Sequence, residues 1–119
     1  MIMYLQVQTD VRDLRVDVIK FNLKSGEEVT VDWDSSSIAR DDDGFVGRYK
    51  GVYFNDKYAN GRLDDIDKPK VSSVRVSSAN CETADLVITG IKFIDGETEK
   101  SFETDFPFEG VECDDWAER

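Results

Sequence analysis

The sequence predicts a mostly β fold, either an antiparallel β-sandwich or a small, partly open barrel of six to eight strands, with at most one short helix. Two segments support this prediction. Residues 15–33 alternate apolar and polar side chains on both sides of a Lys-Ser-Gly-Glu turn, which is typical of a β-hairpin with one buried face. Residues 86–94, with the sequence LVITGIKFI, are the most β-prone run, and the Asp-Gly pair after them is typical of a hairpin turn.

The N-terminal part of the chain divides into strands by the same reasoning. Residues 2–8 are predicted as a short strand, and residues 15–23 as the first arm of the hairpin. The apolar residues of that arm change parity between Val18 and Ile19, which indicates a β-bulge. Residues 29–33 alternate regularly and form the second arm.

The glycine-rich and aromatic segment 44–66 is expected to form the middle of the sheet. Residues 45–54 are predicted to be extended, with aromatic rings covering glycines on one face and basic side chains on the other. A tight turn near Lys50-Gly51, which would split the segment into two short strands, is the alternative. Residues 62–67 can form one helical turn, and Lys68-Pro69 would end it.

The C-terminal half is predicted to contain the most apolar hairpin. An irregular strand over residues 71–76 precedes it. Residues 86–94 are apolar enough for a central strand buried on both faces, with Gly90 as a bulge. Residues 98–105 return as the partner strand. Three aromatic residues are expected to anchor this end of the core: Phe102, Phe106 and Phe108.

The length of 119 residues is typical of one domain. We place the domain at residues 1–112 and interpret residues 113–119 as an acidic C-terminal tail. One internal similarity is visible, since Ile19-Lys20-Phe21 and Ile91-Lys92-Phe93 both precede a Gly-Glu turn and a return strand. Two such hairpins suit a pseudo-symmetric sandwich or small barrel, although similar turns also arise by chance.

The chain contains no histidine, and this excludes several kinds of catalytic site. A Ser-His-Asp or Cys-His site needs an imidazole base, and two cysteines cannot form a four-thiolate zinc site. Carboxylate pairs suited to glycoside hydrolysis would arise by chance among 26 acids, so they carry no specificity. No catalytic residue, metal ligand or cofactor is predicted, and the protein is expected not to be an enzyme.

Cys81 and Cys113 are expected to be two free thiols. Two cysteines do not make a disulfide framework, and the N-terminal residues lack the positive and apolar regions of a secretory signal peptide. A cytoplasmic location is therefore expected, where thiols stay reduced. A single bridge between the two cysteines is the less favoured alternative.

Two groups of residues are candidates for binding. The first is the acidic run Asp41, Asp42 and Asp43, whose spacing does not match a helix-loop-helix calcium site and is more typical of a solvated turn. The second interleaves bases and aromatic rings in the central segment. A solvated basic face above a buried aromatic core is the favoured interpretation of this pattern, and a contact surface is the alternative. The residues of the second group are Arg48, Tyr49, Lys50, Tyr53 and Tyr58.

The net charge of −11 is unevenly distributed. Residues 27–44 and 95–119 carry net charges of −6 and −8, and residues 45–80 between them carry +3. This charge repels the phosphate backbone, so general nucleic-acid binding is not expected. No apolar run is long enough to span a membrane.

These observations favour a non-catalytic, acidic interaction module, such as an inhibitor or immunity-type protein, that meets a basic protein partner through its acidic surface. A purely solubilising role of the charge is the simpler interpretation. The alternative function is a small-ligand or carbohydrate-binding β domain that uses Tyr49, Tyr53 and Tyr58. The sequence does not indicate an oligomeric state.

Overall fold

The computed structural model of the chain describes residues 2–11, 14–22, 26, 28–32, 45–49, 66, 69–78 and 80–118, with residues 45–49 described by their backbone alone. Eight strands are present in this part of the chain. They are β1 (Ile2–Thr9), β2 (Arg15–Asn22), β3 (Glu28–Asp32), β4 (Phe45–Tyr49), β5 (Lys70–Ser77), β6 (Ala84–Asp95), β7 (Thr98–Val111) and β8 (Trp116–Glu118).

The strands form two antiparallel, four-stranded sheets. The first sheet has the order β4-β1-β6-β7, and the second has the order β3-β2-β5-β8. The sheets are not closed into a barrel, and the described residues contain no helix. The predicted antiparallel β-sandwich is therefore confirmed. The predicted helical turn at residues 62–67 lies outside the described residues except for Ile66.

The β2–β3 hairpin forms as predicted. Val29 and Val31 are buried and alternate with exposed residues, because one face of β3 packs on the core. On β2, Val18 and Ile19 are both buried, and the pairing with β5 shifts by one residue between Val16 and Val18. The predicted bulge is confirmed, since an extra residue in one strand is what changes the parity of its buried face.

The β6–β7 hairpin also forms as predicted, and its turn follows Asp95. Gly96 in this turn lies in the left-handed region, at a φ of 61°. Gly90 lies at a register shift against both neighbouring strands. The expectation that β6 is buried on both faces is wrong. Val87 and Ile94 are only half-buried, because the second sheet covers one face of the first.

The core fills the space between the two sheets and is nearly all aliphatic and aromatic. Phe21 from one sheet and Phe93 from the other meet with ring centroids 5.6 Å apart, and both are fully buried. Phe102 approaches Phe93 edge-on at 6.2 Å. Phe108 is buried, while Phe102 and Phe106 are half-buried against the core, so all three anchor it as predicted.

The two similar tripeptides occupy corresponding places in the two sheets. Ile19 and Phe21 point inward from β2, and Ile91 and Phe93 point inward from β6. Each intervening lysine points outward onto an aromatic ring: Lys20 Nζ lies 4.4 Å from the Trp116 ring centroid, and Lys92 Nζ lies 5.2 Å from that of Tyr4. The sandwich thus repeats one local arrangement on its two faces.

Two expectations about the C-terminal residues are wrong. Residues 113–119 are not a tail, because β8 lies within them and pairs with β5. Cys81 and Cys113 are joined by a disulfide, with their Cα atoms 5.2 Å apart, so the free-thiol prediction fails and its alternative holds. The bridge joins the loop between β5 and β6 to the loop between β7 and β8. The spacing of the two cysteines in the sequence does not show that these loops are close in space.

The one described strand of the central segment does not lie in the middle of a sheet. Among the described strands, β4 is at the end of the first sheet and pairs with β1. Ile66, at the end of the segment, is fully buried in the core. Residues 50–65 lie outside the described part of the chain, and the alternative turn at Lys50-Gly51 lies there with them.

Gly90 permits a close approach between β6 and β1. A Cβ atom at this position would lie 3.0 Å from Oε1 and 3.3 Å from Cβ of Gln6. We expect Gly90→Ala to lower the free energy of unfolding by about 1 kcal/mol, because the strain exceeds the entropy lost from the unfolded chain. Urea denaturation measures this change. The loss should be smaller in a Gln6→Ala background, and an equal loss in both backgrounds would contradict the contact.

Candidate protein-interaction surface

β7 presents a row of acidic side chains to solvent. From Glu99 to Glu109, half-buried or buried positions alternate with exposed ones. The exposed acids are separated by multiples of two residues, which places neighbouring acids at least about 7 Å apart along the strand. We call Glu99, Glu103, Asp105 and Glu109 the β7 acidic row.

β7 is also the terminal strand of its sheet in the described part of the chain. Acidic side chains and a proline are features that prevent a terminal strand from pairing with another chain. Pro107 has no backbone N–H to donate, and it lies between Asp105 and Glu109. The β7 acidic row is therefore suited to contacts through side chains rather than to addition of a strand.

A groove of about 250 Å³ lies at the C-terminal end of the row. Three exposed acids line it: Asp10 after β1, Asp85 on β6 and Glu109 on β7. Val87, which is half-buried, and Pro107, which is exposed, contribute apolar surface to the same groove. The groove thus combines carboxylates with an apolar lining.

Hydrogen bonds between three strands fix the position of Asp85 in this groove. The Thr9 hydroxyl donates to the Asp85 carbonyl oxygen at 2.9 Å. The Gly110 N–H donates to the Asp85 carboxylate at 2.8 Å, and Gly110 has a φ of 62° that favours glycine. One carboxylate oxygen of Asp85 is therefore engaged in the fold.

A second feature was missed by the sequence interpretation. Trp116 on β8 is 42% exposed. Among the described residues, it is the one large apolar side chain that is classed as exposed. Lys20 Nζ lies 4.4 Å and Arg75 Cζ lies 5.6 Å from its ring centroid. Within the described residues neither cation forms an ion pair. The outer face of the second sheet thus has an aromatic ring beside two cations.

The residues chosen from the sequence are not tested by this structure. Arg48 and Tyr49 lie on β4, whose backbone alone is described. The other candidate residues lie outside the described residues, so their role stays a prediction. They are Lys50, Tyr53, Tyr58, Asp41, Asp42 and Asp43.

One group of potential metal ligands converges in the described part of the chain. It consists of Cys81, Cys113 and Asp114, and the Cys81 sulfur lies 3.9 Å from an Asp114 carboxylate oxygen. Both sulfurs belong to the disulfide, and thiolates are the form in which cysteine binds metals. In this oxidised state Asp114 is the only anionic ligand of the group.

Comparison with known proteins adds no identification. No protein-family model, no curated protein and no solved structure matches the chain. In the described residues, no helix has the length and apolar character needed to cross a membrane. Any functional statement therefore depends on the surfaces of this protein itself.

Proposed function

We propose that this protein is a non-catalytic interaction module that binds a basic protein partner through the β7 acidic row and the groove at its end. The groove is the observation that supports this best. Asp10, Asp85 and Glu109 surround an opening whose lining also includes the apolar side chains of Val87 and Pro107. An arginine or lysine side chain has the matching chemistry, since its stem is apolar and its head is cationic.

The charge of the whole molecule supports the same partner class. A net charge of −11 attracts a basic protein over a distance of about 10 Å at 0.1 M salt. Such attraction raises the association rate and orients the partner before contact. The β7 acidic row would then provide carboxylates that pair with basic side chains of the partner, and each carboxylate is positioned by the backbone of β7.

Capture experiments with a matched pair of variants test this proposal. The chain is immobilised and exposed to an extract of its source cells at 50 and 500 mM salt, and captured proteins are identified by mass spectrometry. We expect basic proteins that are retained at low salt and lost at high salt. Glu99→Gln/Glu103→Gln/Glu109→Gln should weaken their binding at least tenfold, while Asp105, which makes another interaction within the chain, is left unchanged.

The control variant carries the same change of net charge elsewhere. Asp32, Glu82 and Glu112 are exposed and lie outside the β7 acidic row, so neutralising these three acids tests for a general charge effect. Binding should remain within about threefold of the unmodified chain if long-range screening alone changes. Equal losses in both variants, or capture that is insensitive to salt, would contradict the proposal.

A further inference from the structure

We propose that the outer edge of β5 is a strand-binding site that β8 occupies in the oxidised chain. Reduction of the Cys81–Cys113 disulfide opens this site, which then accepts an extended acidic segment of a partner protein with an aromatic residue at the place of Trp116. The site lies on the second sheet and is separate from the β7 acidic row.

β8 shows what this edge binds. It is only three residues long and pairs antiparallel with β5, Trp116 opposite Arg75, Ala117 opposite Val74 and Glu118 opposite Ser73. Ala117 packs against the core, and the Asp114 N–H extends the pairing by donating to the Val76 carbonyl oxygen at 2.9 Å. The bound segment therefore has an aromatic residue, a small residue and an acid in sequence.

The side chains around β8 explain this preference. Lys20 on β2 and Arg75 on β5 both contact the Trp116 ring, and together these groups span the outer face of β5. Because neither cation forms an ion pair with a described residue, both can meet an aromatic ring and nearby carboxylates. An acidic peptide fits this edge better than a basic one.

The disulfide keeps β8 on its edge. A three-residue terminal strand has few contacts of its own, and Trp116 remains 42% exposed although it is docked. The bridge fixes Cys113 three residues before Trp116, so it holds β8 close to β5 at a high effective concentration. Without the bridge, an external strand competes with β8 on more equal terms.

The chemistry of opening is a thiol–disulfide exchange. A dithiol reductant donates two electrons and two protons, Cys81 and Cys113 become thiols, and the reductant becomes a disulfide. Cys81 is exposed and Cys113 is half-buried, so an attacking thiolate can reach the bridge. The β5–β8 pairing itself involves neither cysteine, so it can exchange once the bridge is open.

A labelled peptide with the sequence of residues 114–119 tests the site. Its fluorescence anisotropy is measured with the full chain carrying Trp116→Ala, in which the native strand lacks its ring, with and without dithiothreitol. We expect binding to the reduced variant, at least tenfold weaker binding to the same variant in its oxidised form, and loss of binding when the tryptophan of the peptide is replaced by alanine. Arg75→Gln in the reduced variant should also weaken binding.

Hydrogen exchange of the unmodified chain provides a second measurement that does not depend on the variant. Reduction should remove protection from the amides of residues 116–118 and leave the β2–β3 hairpin protected. Equal peptide binding in both redox states would overturn the proposal, as would no binding to the reduced variant or unchanged protection of β8. A reduced chain that exchanges β8 with a second copy, forms a dimer and takes up no peptide would also overturn it.

Discussion

Replacing Phe93 with alanine is expected to lower the free energy of unfolding by about 3–5 kcal/mol, the largest effect of any change considered for this protein. Phe93 is fully buried and contacts a phenylalanine on each side, Phe21 across the sandwich and Phe102 on β7. The truncation removes this apolar contact and leaves a cavity between the sheets. Since small domains are stable by about 5–15 kcal/mol, the variant would be close to unfolding at 25 °C.

Urea denaturation, followed by near-ultraviolet circular dichroism, measures this loss. Phe93→Leu is the matched variant, because it retains most of the apolar volume and should lose less than half as much stability. Phe102→Ala should also be milder than Phe93→Ala, since Phe102 is only half-buried. A Phe93→Ala variant as stable as Phe102→Ala would contradict the central position of Phe93 in the core.

Removal of the disulfide is expected to have the second largest effect. Cys81 and Cys113 are separated by 32 residues, and closing a loop of this length restricts the unfolded chain by about 3–4 kcal/mol in the chain-entropy model. Cys81→Ser/Cys113→Ser should lose this amount of stability in denaturant. The substitutions should act mainly on the unfolded state, so strands β1 to β7 keep their pairing in the variant and only β8 is free to leave β5.

Dithiothreitol provides the control for this second prediction. Reduction should destabilise the unmodified chain to the level of the double-serine variant, and it should leave the variant itself unchanged. A stability difference that persists between the two chains under reducing conditions would show that the substitutions act on the folded state instead. Equal stability of the oxidised chain and the variant would show that the bridge does not restrict the unfolded chain.

The features that could be predicted from the sequence are those fixed by local geometry. In a strand with one buried face, two apolar residues in succession, such as Val18 and Ile19, indicate an extra residue in the strand. The structure shows the corresponding bulge. The turn at Gly96 and the register shift at Gly90 depend on a few adjacent residues in the same way. These local rules gave the hairpins and the fold class.

The features that could not be predicted depend on contacts distant in sequence. Nothing in the composition of β4 or β6 shows which strand ends a sheet or how many layers cover it. In the part of the chain that the structure describes, β4 ends its sheet and β6 is covered on one face only, and both follow from the order of the strands. The free-thiol prediction for Cys81 and Cys113 is wrong for the same reason. It depends on the expected reducing compartment, whereas the disulfide depends on a short distance between residues that are far apart in sequence.

The candidate surfaces were only partly visible in the sequence. The sequence shows the excess of acids in residues 95–119, but the alternation that aligns the β7 acidic row depends on where β7 begins. The sequence does not single out Trp116, because its short strand is surrounded by acids and resembles a tail. Its contacts with Lys20 and Arg75 join residues from three separate strands, which no local pattern contains.

The contact between Phe21 and Phe93 has a consequence for the order in which the chain folds. Each ring belongs to a hairpin whose strands are adjacent in sequence, so β2–β3 and β6–β7 can each form by closing a short loop. Joining the two hairpins requires contacts that are far apart along the chain, and such contacts slow folding. We therefore expect the two hairpins to form in fast local events and then to dock in one slower event, in which the two phenylalanines meet.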